Sequence, residues 1–231
     1  KALLPGVPSD KMFMWDYQCE NVELWISTEN FHGQPYIWCY LGNFGGNTTL
    51  TGNVKESGDR LDNALINGGD NLKGIGSTLE GLDINQFPYE YIFEKAWTID
   101  VNGKDWVERL ADRHVGAVSE SVREAWQILF EDVFVQVPRT LGILPGYRPK
   151  LGDNYNKRIS NEYDNATLLR VWELLLEVPS CDRDAFEIDV IMTGRQLLGN
   201  YFLDVKNEFD GFYMKRNVPG LKEKASDVRE I

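Results

Sequence analysis

The chain has few of the residues and patterns that signal several common functions. Its 231 residues include only three cysteines, Cys19, Cys39 and Cys181, and they form no CxxC pair. This spacing indicates neither a zinc site nor a disulfide framework, so we expect buried free thiols and no metal. A bilayer span needs a run of about 18 apolar residues, and the sequence has none. The first residues also lack the apolar centre of a signal peptide. The sequence therefore predicts no membrane partner.

Positive charge is also scarce. Lysine and arginine total 24 against 36 aspartate and glutamate residues, which gives a net charge of −12. A surface with this excess of negative charge repels phosphate backbones and anionic membranes at long range. We therefore expect no nucleic-acid partner.

The usual cofactor and nucleophile motifs are missing as well. GNFGGN (42–47) is glycine-rich but lacks the GK[ST] of a phosphate-binding loop, and a dinucleotide GxGxxG that began at Gly74 would need glycine where Leu79 stands. With only His32 and His114 available and no GxSxG motif, a serine triad is not indicated. The sequence predicts no cofactor.

The residues that are present favour an α/β region followed by a helical one. Compact apolar runs at 11–17, 34–41 and 72–78 predict three buried strands, and the segments that follow them are long enough for helices. This β-α-β-α-β-α order favours a parallel sheet within residues 1–100. From about residue 101 to 231 apolar residues recur at helical spacing, which predicts an all-helical domain interrupted by a long loop over 138–156. Within it, Ser121 and Glu124 have the spacing of a capping box, and Gly116 suits a helix C-terminus.

Polar residues follow each predicted strand. The exits carry Asp16, Tyr17 and Glu20, then Asn43 and Asn47, then Glu80 within GSTLEGL (76–82). Because the carboxyl ends of parallel strands meet at one edge of a sheet, these groups are expected on one rim. Glu80 is then either a solvated loop residue or a working carboxylate. Carboxylates among aromatic side chains are typical of sites that cleave glycosidic bonds.

Longer motifs make this expectation specific. The runs FHGQPYIWCYLGNFGGNTTLTGN (31–53), GIGSTLEGLDINQFPYEYIFEKAW (74–97) and DWVERLADRHVG (105–116) closely resemble the α-N-acetylglucosaminidase family of glycoside hydrolases, and WDYQCENVELW (15–25) resembles the preceding strand exit. The resemblance, which continues at YRPKL (147–151) and VWELLL (171–176), covers nearly the whole chain. It implies an α/β barrel, a TIM-like (β/α)8 fold of which only the last strands are present, followed by an all-α domain. It further implies a retaining enzyme that removes terminal α-linked N-acetylglucosamine from glycans.

The resemblance also assigns roles to residues. Glu80 falls on the family's catalytic nucleophile, and the substrate-binding candidates are Trp38, Asn43 and Asn47, for which packing at the rim is an open alternative. In an α-glycoside the 2-acetamido group is cis to the leaving group and cannot attack from the rear, so the enzyme must supply its own carboxylate.

A glycosidase of this kind needs a second carboxyl group, the general acid/base, and no residue of this chain matches it. The family's general acid/base lies on an earlier barrel strand, so we expect the native protein to be longer at its N-terminus and this segment alone to hydrolyse almost nothing. The alternative function is a non-catalytic carbohydrate-binding module. The expected location is extracytoplasmic: lysosomal, periplasmic or secreted.

Overall fold

The computed structural model describes residues 3–43, 46, 48–81, 84–98, 100–137, 151 and 163–231. The chain packs into two compact units. The first comprises the described residues of 1–107 and 130–139, and the second those of 108–129 and 140–231. The sequence predicts a single division between residues 100 and 101, whereas the described residues 130–137 pack with the first unit. The assignment of 1–100 to a barrel domain and of 101–231 to a helical domain stays a prediction.

The first unit is built on three parallel strands in the order β1-β2-β3, which confirms the predicted sheet. The strands are β1 Met14–Asp16, β2 Tyr36–Tyr40 and β3 Leu72–Ser77. In the register, Asp16 pairs with Trp38 and Cys39 with Gly76, so the carboxyl ends of the three strands lie side by side.

Helices follow each strand of the first unit. They are α1 Leu24–Ser27, α2 Val54–Asn67 and α3 Phe87–Trp97. The first connection is less helical than the pattern predicts, since α1 has four residues and is followed by the 3-10 turn Asn30–Gly33. Just before α3, Asn85 Oδ1 accepts a hydrogen bond from the Phe87 N–H at 2.9 Å, whereas the N-cap residue Gln86 makes no side-chain capping bond.

The two faces of the sheet differ in burial. Side chains alternate along a strand, and Tyr36, Trp38 and Tyr40 are buried on one face. The Tyr36 hydroxyl donates to the Gly68 carbonyl at the end of α2. On the other face Trp15 is 59% exposed. The sheet is therefore covered by helices on one side, and its other side is open around Trp15, although Cys39 on that side is buried.

The remaining described residues are mainly helical, as predicted. The helices are α4 Gly103–Val115, α5 Glu120–Ile128, α6 Asn165–Leu176, α7 Asp184–Met214 and α8 Val218–Glu230, with a π-helical turn at Leu129–Val133. In the second unit α6 packs against α5 and α7, and α8 packs against α7. Gly116 has φ +80° directly after α4, as a C-terminal glycine should.

One detail of the helical prediction is corrected. The predicted capping residue Ser121 lies inside α5, whereas the hydroxyl of Ser119 accepts the hydrogen bond from the Val122 N–H. The reason is that Ser119, with extended backbone, is where the chain enters the helix. Of the predicted loop 138–156, all but Leu151 lies outside the described residues, as does most of YRPKL.

Cys19 and Cys39 are buried and Cys181 is half-buried, all three as free thiols. Within the described part of the chain, no group of three or more metal-ligating side chains clusters together. None of the described helices combines the length and apolar character that a bilayer crossing requires.

Candidate active site

The exits of β1, β2 and β3 converge through side chains of Tyr17, Asn43 and Glu80. Tyr17 follows β1 directly, Asn43 lies three residues beyond β2, and Glu80 lies three residues beyond β3. The Tyr17 hydroxyl donates to Glu80 Oε1, and the Glu80 N–H donates to Asn43 Oδ1 at 2.7 Å. The rim predicted from the strand order therefore exists, with Glu80 at its centre.

Asn43 holds the backbone on both sides of Glu80. Its carboxamide oxygen accepts the Glu80 N–H, and its Nδ2 donates to the Gly81 carbonyl at 3.2 Å. The residue is only 2% exposed. Since both ends of the carboxamide bond to this short segment, the position of Asn43 favours the rim-packing alternative over direct contact with a ligand.

Glu20 fixes the turn that carries Asn43. This carboxylate accepts the backbone N–H groups of Leu41 at 3.1 Å and Gly42 at 2.9 Å, and it is fully buried. From the other side the Tyr89 hydroxyl donates to the Leu41 carbonyl at 2.6 Å. Burial raises the pKa of the Glu20 carboxyl, although the two backbone donors oppose the rise.

Gly42 is required by this turn for two reasons. Its φ of +73° lies in the left-handed region, and a Cβ there would approach the Tyr89 hydroxyl oxygen to 2.5 Å. Tyr89 lies 48 residues from its acceptor Leu41, and its place at the rim was not predicted from the sequence. No local motif signals such a bond, because it depends on how α3 packs against β2.

Tyr17 is joined at two points to the segment that follows β3. Besides the bond from its hydroxyl to Glu80, its carbonyl accepts the Thr78 hydroxyl at 2.7 Å, and the Thr78 N–H donates to the Tyr40 carbonyl at 3.2 Å. The hydrogen bond to the Glu80 carboxylate is the main cause of a raised pKa of the Tyr17 phenol. The phenol therefore stays protonated, and able to donate, at neutral pH.

Of the three exit carboxylates that the sequence identified, only Glu80 is exposed. Asp16 and Glu20 are fully buried. Asp16 accepts the N–H groups of Leu24 at 3.2 Å and Trp25 at 2.9 Å, which places it at the start of α1 as a structural group. A carboxylate that is open to solvent while its backbone is held on both sides can act on a ligand as a nucleophile or a base.

Trp38 does not lie on this rim. It is 0% exposed, and its indole N–H donates to Glu23 Oε1 at 3.3 Å on the helix-covered side of the sheet. Its ring is not available to a ligand in this arrangement, because even-numbered positions of β2 face away from the open side. Asn47, the remaining substrate-binding candidate, lies outside the described residues.

Solved structures share this fold. A family 89 glycoside hydrolase from Clostridium perfringens, in complex with PUGNAc, superposes with a TM-score of 0.85 at 24% identity over 97% of this chain and 26% of that chain. A second structure, in complex with 2-acetamido-1,2-dideoxynojirimycin, matches equally well. The fold is thus part of a TIM barrel, an open sheet of three parallel strands, followed by a helical domain.

Two family profiles match the chain in order. Residues 1–99 match the TIM-barrel domain of α-N-acetylglucosaminidase (NAGLU), and residues 106–231 match the C-terminal domain. The chain belongs to the α-N-acetylglucosaminidase family, as its motifs indicated. It is 28% identical over 229 residues to the human α-N-acetylglucosaminidase, covering 96% of this chain but 30% of the human protein.

Proposed function

We propose that the chain supplies the nucleophile of a retaining exo-α-N-acetylglucosaminidase, and that this nucleophile is Glu80. The observation that carries the proposal is the state of Glu80 at the exit of β3. Its carboxylate is exposed, its backbone is held by Asn43, and its Oε1 accepts the Tyr17 hydroxyl. A nucleophile needs this combination of access and fixed geometry.

The proposed reaction needs two carboxyl groups. Glu80 attacks the anomeric carbon and displaces the leaving oxygen, which a second carboxyl protonates; water then releases the sugar from the glycosyl-enzyme ester. In a retaining enzyme the two carboxyl groups are about 5 to 5.5 Å apart. Because the chain spans 26% of the bacterial structure that it matches, we place the second carboxyl on a part of the barrel outside this chain.

The proposed substrate is a glycan with terminal α-linked N-acetylglucosamine. A substituted form of the Clostridium perfringens protein, with two glutamates changed to glutamine, was solved with its substrate GlcNAc-α-1,4-galactose; it matches this chain with a TM-score of 0.82 at 24% identity, over 94% of this chain and 26% of that chain. Family membership supports the same linkage here. An extracytoplasmic location stays a prediction.

The test uses the full-length protein that contains this chain and an aryl α-N-acetylglucosaminide. Glu80→Gln is expected to lower kcat by at least about 10³-fold, because glutamine cannot form the ester. Glu94→Gln is the matched control, since Glu94 is an exposed glutamate of α3. A fluorinated α-N-acetylglucosaminyl donor should label the peptide that contains Glu80. Unchanged turnover by Glu80→Gln would refute the nucleophile assignment.

The alternative is a carbohydrate-binding module without turnover, favoured by the exposed Trp15 and Tyr17 near the open face of the sheet. The two functions predict different behaviour of the isolated chain. Calorimetric titration with N-acetylglucosamine should show no binding if the chain forms only part of an active site. Binding that persists in Glu80→Ala would support the module instead.

A further inference from the structure

A second residue of the rim acts on the proposed nucleophile. Tyr17 and Glu80 lie 63 positions apart, yet the phenol hydroxyl donates to Glu80 Oε1. Tyr17 continues the alternation of β1, in which Asp16 turns to the start of α1 and its neighbours turn to the open face. The phenol is 40% exposed, so it shares the same solvent-accessible space as the carboxylate.

The backbone of Tyr17 is fixed to the segment after β3 that carries Glu80. The Thr78 hydroxyl donates to the Tyr17 carbonyl at 2.7 Å, and Thr78 lies two positions before Glu80. The Thr78 N–H is itself bonded to the Tyr40 carbonyl of β2 at 3.2 Å. The phenol therefore approaches Glu80 from a backbone that cannot move independently of the exit of β3.

We propose that Tyr17 is a positioning residue for glycosidic bond cleavage, which holds Glu80 Oε1 and stabilises the ionised form of the attacking carboxylate. The inference rests on the proposed role of Glu80 as nucleophile. Hydrogen bonds to an ionised acceptor are roughly twice as strong as neutral ones, and a donor to the charged form lowers the pKa of a carboxyl. Asn43 fixes the backbone of Glu80, and Tyr17 fixes its rotamer.

Removing the hydroxyl tests this role. In the full-length protein, Tyr17→Phe keeps the ring and loses the donor, so we expect kcat to fall about tenfold while KM changes by less than about twofold, because the phenol acts through Glu80. The acid limb of kcat/KM against pH should move to higher pH by about one unit. Tyr213→Phe is the matched control, since Tyr213 is an exposed tyrosine of α7.

A second variant covers the case in which Tyr17→Phe fails to fold. With 3-fluorotyrosine at position 17 the side chain keeps its shape and becomes a stronger donor, so the acid limb should move to lower pH. If the role of Tyr17 were purely structural, the acid limb would stay in place in both variants. An unchanged pH profile in both variants would therefore overturn the proposal. If Glu80→Gln is inactive while the Tyr17 variants behave normally, only this inference fails; if Glu80→Gln is fully active, the proposed function fails with it.

Discussion

The role of Asn43 gives the sharpest prediction, because the structure favours one of two readings that the sequence left open. Asn43→Ala removes the acceptor for the Glu80 N–H at 2.7 Å and the donor to the Gly81 carbonyl at 3.2 Å. Each such bond contributes about 1 kcal/mol net, and a small cavity adds to the loss at a position that is 2% exposed. We expect the free energy of unfolding to fall by about 2 to 4 kcal/mol.

The same change should affect turnover more than substrate affinity. A displacement of a reacting group by about 1 Å can cost about 10²-fold in rate. Since Asn43 acts on the backbone of Glu80, kcat should fall by about this factor, while KM stays within about twofold. A residue that contacted the sugar in both ground and transition states would instead raise KM and leave kcat unchanged.

The assay combines urea unfolding with steady-state kinetics of the full-length protein on an aryl α-N-acetylglucosaminide. Asn63→Ala, at an exposed asparagine of α2, is the control and should change the free energy of unfolding by less than about 0.5 kcal/mol. A raised KM with unaltered kcat in Asn43→Ala would refute the backbone-holding role and restore Asn43 as a sugar ligand.

Two further predictions concern the turn after β2. Gly42→Ala should lower the free energy of unfolding by about 2 to 4 kcal/mol in urea titrations, because its Cβ would meet Tyr89 at a backbone φ of +73°. The control is Gly74→Ala, which should not destabilise the fold because a Cβ at position 74 has no other atom within 4 Å. Equal losses of stability in the two variants would contradict the steric argument. Burial raises the pKa of Glu20 above its ordinary 4.5, so its contribution to stability is fully present below about pH 4.5 and declines as pH rises through the folded-state pKa. The stability deficit of Glu20→Gln relative to the natural protein should therefore shrink from pH 4 to pH 8, and a deficit that grows with pH would contradict this sign.

Several features were predictable because their signals are local. The runs around β1, β2 and β3 are rich in aromatic and apolar residues and end at polar or glycine-rich segments, so the parallel sheet could be predicted before its structure was known. The position of the site at one rim of the sheet could be predicted from the geometric rule that the carboxyl ends of parallel strands lie at one edge. Glu80 was placed on that rim for the same reason.

Other features were beyond local patterns. Trp38 was expected to wall a pocket, but the alternation of β2 turns it to the helix-covered face, where it bonds to Glu23. Ser121 has a capping-box spacing, but the helix begins at Glu120, two positions earlier than a cap at Ser121 would give, so Ser119 caps it. In both cases a one- or two-residue change in where an element begins or faces reverses the role of a side chain.

The sequence alone determined the order of strands and helices, the family, and the carboxylate at the exit of β3, since periodicity and motifs are properties of neighbouring residues. Only the tertiary structure decided which partners surround that carboxylate. Tyr17 and Asn43 reach Glu80 across 63 and 37 positions, and those contacts exist because three strands pair in one register. Hydrogen bonds between distant segments are set by packing, which no local pattern encodes.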